Sequence, residues 1–351
     1  MTLLLAFGLA AGVFVATLWL TGRLHRYAVS RRLLDVPNPR SSHHVATPRG
    51  GGMAIVVTTL VGVIAAGSLH FLTWPVVWGL AGGGALVGAM GFVDDHRPLR
   101  RRWRLLGHFV AAAWVVAWLG GLPPIPLLGA VVDFGWAGDA LAVLALVWLI
   151  NLTNFMDGID GIAATEAVTV SLSGVLLYFL VAPAGREWIA PLIVMAASLG
   201  FLAWNWPPAK IFMGDAGSGF LGLMLGALSL QAAQTAPTLL WAWIILLAVF
   251  IVDATITLIR RAIRGDRVYE AHRTHAYQHA AHRVGAHGPV TVTVAAINLA
   301  WLLPLAALVA ETSLPDVGGV LLAYAPLVVA ALKLGSGKTD ASSAQQGAWN
   351  V

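Results

Sequence analysis

The sequence contains no cysteine and very little charge. The absence of cysteine among 351 residues excludes disulfide bonds, thiolate metal sites and cysteine nucleophiles, which leaves His, Asp, Glu and Asn for any reactive site. Only 11% of the residues are charged, whereas a soluble domain has roughly a quarter of its residues charged. With 58% hydrophobic residues and a mean hydropathy of +0.80, we expect a lipid bilayer to solvate most of the outer surface.

Long apolar segments dominate the sequence. About eleven are long enough to cross the roughly 30 Å of hydrocarbon in a bilayer, where only helices satisfy their own backbone groups in such segments. The predicted fold class is therefore all-α, a polytopic transmembrane bundle. We expect one integral membrane domain over 1–334 and a disordered tail over 335–351, which is rich in Ser, Gln and Gly. The predicted spans are 2–21, 50–70, 75–93, 105–122, 138–153, 166–183, 188–205, 217–234, 237–259, 290–311 and 317–334.

The distribution of Lys and Arg predicts the orientation of the bundle. With eleven spans, every second loop lies on the same side as the C-terminus, and these loops with the tail and Lys333 at the end of the last span hold 20 of the 21 basic residues. Arg186 alone lies on the other side. The positive-inside rule then places these loops in the cytoplasm and the N-terminus in the periplasm. The net charge of +5 is thus an orientation signal, and we expect no nucleic-acid partner.

Polar residues that could take part in catalysis or binding collect at the ends of the spans on this same side. The sequence segments that carry them are GFVDDHR, NLTNFMDGIDG, PPAKIFMGDAGSG and EAHRTHAYQH. The convergence of these four segments on one membrane face indicates a single site. The candidate residues are Asp94, Asp95, Asn151, Asn154, Asp157, Asp160, Lys210, Asp215, Ser218, His272, Arg273, His275 and His279.

This set of side chains predicts phosphoryl chemistry. Carboxylates and an Asn carbonyl are hard oxygen ligands that suit Mg²⁺, with Mn²⁺ as the alternative ion. Nearby Arg, Lys and His can neutralise phosphate oxygens. The glycines of GDAGSG, directly before a helix, allow the backbone to approach a phosphate. We therefore expect metal-assisted chemistry on a diphosphate beside a membrane that supplies a lipid acceptor.

Each motif taken alone also has a structural reading. The acidic pair can cap a helix, DGIDG can form a turn, and the histidines can belong to a solvated basic surface. Asp253 lies inside the ninth predicted span, where an acidic residue is a functional candidate by default. The structural alternative is that Asp253 pairs with Arg260 or Arg261. A transporter is the rival class, although transport sites normally lie near the bilayer midplane, often within inverted repeats.

Taken together and in this order, the motifs resemble those of the polyprenyl-phosphate N-acetylhexosamine-1-phosphate transferases. This family includes the phospho-MurNAc-pentapeptide transferases and the GlcNAc-1-phosphate transferases, and the resemblance runs from Asp35 to Gly288. It implies Mg²⁺-dependent attack of undecaprenyl phosphate on a UDP-N-acetylhexosamine, with release of UMP. It also implies a site on the cytoplasmic face of the bacterial inner membrane, and it is compatible with a homodimer.

The resemblance also implies roles for individual residues. Asn154 and Asp215 match the metal ligands, and Asp94, Asp95, Asp157 and Asp160 match the catalytic aspartates. Because the second pKa of a phosphate monoester is about 6, the acceptor is already largely dianionic. The role of Asp94 therefore stays open between a base, a group that positions the acceptor and a metal-linked carboxylate. The residues expected to bind substrate are Arg49, Asn151, Lys210, Ser218, His272, Arg273, His275 and His279.

The histidine segment departs from one branch of the family. It reads HRTHAYQH, whereas the pentapeptide transferases carry three adjacent histidines. The spacing argues against the pentapeptide substrate and resembles that of enzymes that begin O-antigen or other surface polysaccharides. The pentapeptide transferase and an enzyme with another lipid acceptor, such as dolichyl phosphate, remain the alternatives.

Overall fold

A computed structural model describes residues 2–36, 45–97, 99–266 and 273–338. Over these residues the chain forms fourteen α-helices, one π-helical turn (Asn298–Leu302) and four short strands. The helices are α1 (Thr2–Arg31), α2 (Met53–Ser68), α3 (Trp74–His96), α4 (Arg101–Leu119), α5 (Gly135–Met156), α6 (Ile162–Val181), α7 (Ile189–Asn205), α8 (Asp215–Thr235), α9 (Thr238–Leu246), α10 (Ala248–Ile263), α11 (Ala276–Val284), α12 (His287–Ile297), α13 (Leu303–Ala310) and α14 (Asp316–Leu334). The strands are β1 (Leu34–Asp35), β2 (Thr47–Pro48), β3 (Ile125–Leu127) and β4 (Ala130–Val132).

The expected all-α bundle is confirmed. Each predicted span overlaps one helix or a pair of consecutive helices. Within the described residues, seven helical segments are long and apolar enough to cross a membrane, or eight if α9 and α10 form one broken span. The helices α2 and α7 are apolar but shorter, with 16 and 17 residues. The chain is thus a multi-pass membrane protein, while the count of eleven spans and the orientation stay predictions.

Two features of the helices differ from the expectation. The predicted span 237–259 is broken, because α9 and α10 meet at Leu247 with a bend of 67°. No proline or glycine marks this break, so nothing in the sequence signals it. The predicted span 290–311 contains the π-helical turn Asn298–Leu302, which continues into α13. Two short antiparallel strand pairs, β1–β2 and β3–β4, also interrupt the helical pattern.

Helix α8 lies at the centre of the bundle and is buried along almost its whole length. Glycine allows its N-terminus to approach α3 closely, because a side chain on Gly91 would collide with the backbone of Ala216. On the other side, the Gly52 amide donates to the Met213 carbonyl at 2.9 Å. These contacts bring the end of α3 and the loop before α2 to the N-terminus of α8.

The residues after α14 turn back onto the bundle. Gly335–Lys338 form a turn, in which Ser336 is completely buried and the Gly337 amide donates to the Thr274 carbonyl. These are the first four residues of the segment predicted to be a disordered tail. The rest of that segment, 339–351, lies outside the described residues.

Candidate active site

The N-terminus of α8 meets the C-terminal turn of α5 at the centre of the site. Asn154 Nδ2 donates to Asp215 Oδ1 and to Ser218 Oγ, both at 2.9 Å. Because a carboxylate oxygen can only accept, the amide nitrogen must face Asp215, and the Asn154 carbonyl oxygen is directed elsewhere. That oxygen has no hydrogen-bond partner among the described residues. The sequence prediction that these three residues belong to one site agrees with this geometry.

Asp95 lies beneath this pair and caps α8. Its two carboxylate oxygens accept the backbone amides of Asp215 and Ala216 at 3.0 and 3.2 Å, and Arg49 Nη2 donates to Oδ1 at 2.7 Å. A carboxylate at a helix N-terminus is favoured by the helix dipole. The Asp95 side chain is only 4% exposed. Its carboxylate therefore holds α8 and Arg49 in place through these contacts. The catalytic role expected for Asp95 stays a prediction.

Asp94 faces the other side of α3 and is held by Arg104. Its Oδ2 lies 2.8 Å from Arg104 Nη1, and its Oδ1 accepts the Leu99 amide at 2.6 Å. The same guanidinium nitrogen lies 3.9 Å from Asp215 Oδ2. Arg104 therefore links two aspartates of the site, although it was not among the residues predicted from the sequence. A signal was present, since Arg104 is the basic residue nearest to the apolar part of α4.

A polar cavity of about 270 Å³ opens beside this cluster. The cavity is lined by Arg49, Asn154, Asp157, Asp215 and Ser218. The Asp157 carboxylate accepts no hydrogen bond from any described residue, and burial together with the neighbouring carboxylates of Asp215, Asp160 and Asp95 raises its pKa well above the usual value. An unpartnered carboxylate of this kind favours a cationic ligand.

The burial of Arg49 and its contact with Asp95 have opposite effects on the guanidinium. Burial lowers its pKa, but the hydrogen bond and the charge of Asp95, with Asp215 nearby, raise the pKa overall. Arg49 therefore remains a cation at the edge of the cavity and can face an anionic ligand.

Asp160 and Asn205 shape the floor of the cavity. Asp160 Oδ2 accepts the Ala209 amide at 3.0 Å, and its Oδ1 lies 3.3 Å from His287 Nδ1. Asn205 accepts the Gly161 amide and donates to the Ile211 carbonyl. These contacts tie the α5–α6 loop to the α7–α8 loop and to α12. The contacts of Asp160 are structural, and its expected catalytic role stays a prediction.

Several predicted residues do not line the cavity. Lys210 is exposed and its ammonium lies 5.5 Å from the centre of the Trp204 ring. Asn151 faces α4, where its Nδ2 lies 3.2 Å from His108 Nδ1. His275, directly before α11, and His279, within it, are both buried. Gln278 of the same helix does line the cavity. His272 lies outside the described residues.

Arg273 lines a neighbouring groove of about 750 Å³, which is mostly apolar. The groove shares Asp160, Phe212 and Gln278 with the polar cavity, so the two spaces adjoin. Asp160 and Arg273 were predicted from the sequence, whereas Phe212 and Gln278 were not, because neither phenylalanine nor glutamine marks a site by its residue type. Phe212 and Gln278 line these two spaces because α11 packs beside the α7–α8 loop.

Asp253 holds α11 in this position. Its carboxylate accepts the amides of Ala276 and Tyr277 at 2.8 and 3.0 Å, and the hydroxyls of Thr257 and Ser336 at 3.1 and 3.2 Å. The structural reading of Asp253 is supported, but Arg260 is not its partner. Arg260 donates instead to the Ser336 carbonyl, and Asp253 caps a helix that begins 23 residues later in the chain.

The residues of the cavity fit a Mg²⁺ ion. The donor set is the Asn154 carbonyl and the Asp157 carboxylate, neither of which has a hydrogen-bond partner within the described part of the chain, and the partly exposed Asp215 carboxylate. No group of three acidic or histidine side chains in the described part of the chain forms a closed metal cage. Mg²⁺ usually takes one or two carboxylates and completes its shell with water and phosphate oxygens, which matches such an open set.

Known proteins resemble this chain over most of its length. Residues 77–233 match the family model described as glycosyl transferase family 4. A probable undecaprenyl-phosphate N-acetylglucosaminyl 1-phosphate transferase of Bacillus subtilis is 32% identical over 282 residues, covering 78% of this chain and 75% of that protein. A decaprenyl-phosphate N-acetylglucosaminephosphotransferase of Mycolicibacterium smegmatis is 29% identical over 76% of this chain and 74% of its own. A phospho-N-acetylmuramoyl-pentapeptide-transferase of Endomicrobium trichonymphae is 29% identical over 70% of this chain and 75% of its own.

Proposed function

The chain belongs to glycosyl transferase family 4 and is a membrane phosphoglycosyltransferase of polyprenyl phosphate, and from this premise we propose that it transfers an N-acetylhexosamine-1-phosphate from a UDP-sugar to undecaprenyl phosphate. The products are undecaprenyl-diphospho-sugar and UMP. The proposal includes dependence on Mg²⁺ (or Mn²⁺), location in the bacterial inner membrane with the site facing the cytoplasm, and a homodimer.

One observation carries this proposal. The oxygen donors of Asn154, Asp157 and Asp215 and the guanidinium groups of Arg49 and Arg104 converge at one end of the membrane helices. Anionic and cationic groups side by side suit a diphosphate with its cation better than they suit a neutral sugar or a peptide. A position at the helix ends also allows a lipid acceptor and a soluble donor to meet.

The reaction is an in-line displacement at phosphorus. An oxygen of the acceptor phosphate forms a bond to the β-phosphorus of the UDP-sugar, the bond from that phosphorus to the bridging oxygen breaks, and UMP leaves with the electron pair. Asn154, Asp157 and Asp215 would hold the magnesium ion, which when bound neutralises diphosphate oxygens. The protein contributes mainly by positioning the reactants and stabilising charge, as is usual in phosphoryl transfer.

The contacts of Asp94 bear on its role. Both of its carboxylate oxygens are engaged, by the Leu99 amide and by Arg104, and the side chain is only 6% exposed. Since the acceptor is already largely dianionic at neutral pH, it needs no strong base. We therefore assign Asp94 the task of holding Arg104 toward the reacting phosphates.

The donor sugar and the pathway are part of the same proposal. The similarity to N-acetylglucosamine phosphotransferases and the spacing of the histidine segment favour a UDP-N-acetylhexosamine for a surface polysaccharide such as O-antigen. A protein named as a phospho-N-acetylmuramoyl-pentapeptide transferase is also similar, so UDP-MurNAc-pentapeptide is the alternative donor.

The test is UMP release by the purified protein in detergent or nanodiscs. Undecaprenyl phosphate is combined with each of a panel of UDP-N-acetylhexosamines and with UDP-MurNAc-pentapeptide, with Mg²⁺, with Mn²⁺ and with EDTA. We expect release that requires the lipid and the divalent ion, and the best donor identifies the sugar. Folded protein that releases no UMP with any of these donors would contradict the proposed function.

Arg49 and Lys210 form a matched pair of cations, because both were expected to bind substrate but only Arg49 lines the cavity. We expect Arg49→Ala to lower kcat/KM for UMP release by roughly 10- to 100-fold, since a charge-assisted hydrogen bond to phosphate and the partner of buried Asp95 are both lost. Lys210→Ala should stay within about twofold, because its exposed ammonium contacts Trp204. Equal losses in the two variants would contradict this assignment.

A further inference from the structure

A second and much smaller pocket lies on the other side of the Asp215–Asn154 pair. It has a volume of about 20 Å³ and is enclosed by α3, α4, α5 and α8. Asp94, Arg104 and His108 line it together with the pair itself. This volume holds about one water-sized group, so a single oxygen atom fits there. Arg104 and His108 are four residues apart on α4 and thus lie on the same face of that helix.

The hydrogen bonds of Asn151 determine which nitrogen of His108 carries the proton. Asn151 Nδ2 donates to the Val147 carbonyl at 2.7 Å and also lies 3.2 Å from His108 Nδ1. Turning the amide over would place its oxygen against the Val147 oxygen, so the nitrogen must stay in this position. His108 Nδ1 is therefore the acceptor, and the imidazole is neutral with its proton on Nε2. The side chain is 93% buried, and Nε2–H remains as its donor.

The outer surface beside this pocket is apolar. On α4 the neighbours of Arg104 are exposed, with Trp103, Leu105 and Leu106 each about half exposed (55%, 47% and 51%). On α3 the residues before Asp94 are similarly exposed, with Phe92 at 45% and Val93 at 44%. In a membrane protein such a surface faces lipid. A phosphate that carries a polyprenyl chain can therefore approach the pocket from the bilayer side.

We propose that His108 is a further substrate-contacting residue, which donates from Nε2 to an oxygen of the lipid-linked phosphate beside Arg104. Asn151 is then a positioning residue, because it fixes the tautomer that carries the donor. A neutral donor suits this place, where Arg104 already supplies the positive charge and two carboxylates lie close by. The inference rests on the proposed function, since it assigns the acceptor phosphate of that reaction to the second pocket.

The test separates the two substrates kinetically. We expect His108→Leu to raise the KM for undecaprenyl phosphate by about 10- to 100-fold, the effect of losing a hydrogen bond to a charged group, while the KM for the UDP-sugar stays within about twofold. His108→Gln retains an N–H donor and should recover most of the lost affinity. His96→Gln is the matched control, because His96 is exposed and hydrogen-bonds only within its own helix among the described residues. Thermal unfolding of each variant checks that the fold is intact.

Two results would overturn the inference. One is a His108→Leu variant with a normal KM for the lipid, and the other is a parallel rise in both KM values that His108→Gln does not relieve. Binding of undecaprenyl phosphate without any UDP-sugar, followed by tryptophan fluorescence, distinguishes this inference from the proposed function. Loss of lipid binding in His108→Leu supports the assignment even if no donor yields UMP, whereas unchanged binding contradicts it in either case.

Discussion

Asp215→Asn is expected to reduce UMP release by at least about a thousandfold while the protein remains folded. The change removes one negative charge but keeps the size and shape of the side chain. Its Oδ1 can still accept from Asn154, and the backbone amide that Asp95 caps is unchanged. The Asp215 side chain is partly exposed to the cavity, so its replacement leaves no buried cavity or unpaired core group. The loss should therefore come from the missing ligand charge at the reacting diphosphate.

The measurement is the initial rate of UMP release at saturating lipid and donor, repeated over a wide range of Mg²⁺ concentration. Part of the lost rate should return at high Mg²⁺ if Asp215 holds the ion. Asp133→Asn is the matched control, because Asp133 is an exposed carboxylate at the opposite end of α5 and, among the described residues, accepts a hydrogen bond only from the Gly135 amide. An Asp215→Asn variant with a rate near that of the unchanged protein would remove Asp215 from the metal site.

The helical architecture could be predicted because a bilayer leaves the chain few choices. Every apolar segment predicted to span the membrane overlaps a helix, including α8. This agreement is expected because only helices satisfy their own backbone groups in lipid. The bend at Leu247 could not be predicted in the same way. It follows from the packing of α9 and α10 against other helices, and the local sequence is uniformly apolar with neither proline nor glycine.

The members of the site were predicted better than their contacts. The chemistry of Asn154 and Asp215 follows from residue type and position, and these two side chains do meet. Asp95 and Asp160 looked equally catalytic in the sequence, yet their carboxylates hold backbone amides 120 and 49 residues away. A cap formed across such a distance depends on the tertiary fold. Conversely, His108 lies within an apolar helix and gave no motif, and only the packing of α4 on α5 brings it to the site.

Asp253 is another carboxylate whose contacts depend on the tertiary fold, and its removal is expected to lower stability. Four donors from three separate parts of the chain converge on its carboxylate, which lies in a helix and is 95% buried. Asp253→Ala would leave these donors without their acceptor, and each unsatisfied buried group costs about 1–3 kcal/mol. We therefore expect a large fall in the thermal unfolding temperature and faster hydrogen exchange in α11 and in the turn 335–338.

Loss of this cap should also reduce catalysis, because α11 carries Gln278 into the cavity and Tyr277 donates to the Phe155 carbonyl beside Asn154. Asp253→Asn keeps one accepting oxygen, so its stability and its UMP release should both fall between those of Asp253→Ala and the unchanged protein.

Two truncations isolate the contribution of the C-terminal turn. Ending the chain after Leu334 removes Ser336 and the Gly337 amide that bonds Thr274, so this variant should unfold at a lower temperature. Ending it after Lys338 keeps both contacts and should leave stability and UMP release unchanged. If Asp253 instead served ion movement through the membrane, Asp253→Asn would keep the unfolding temperature and abolish transport of a charged solute in liposomes. A cap for α11 requires the opposite, since stability and transferase activity must fall together.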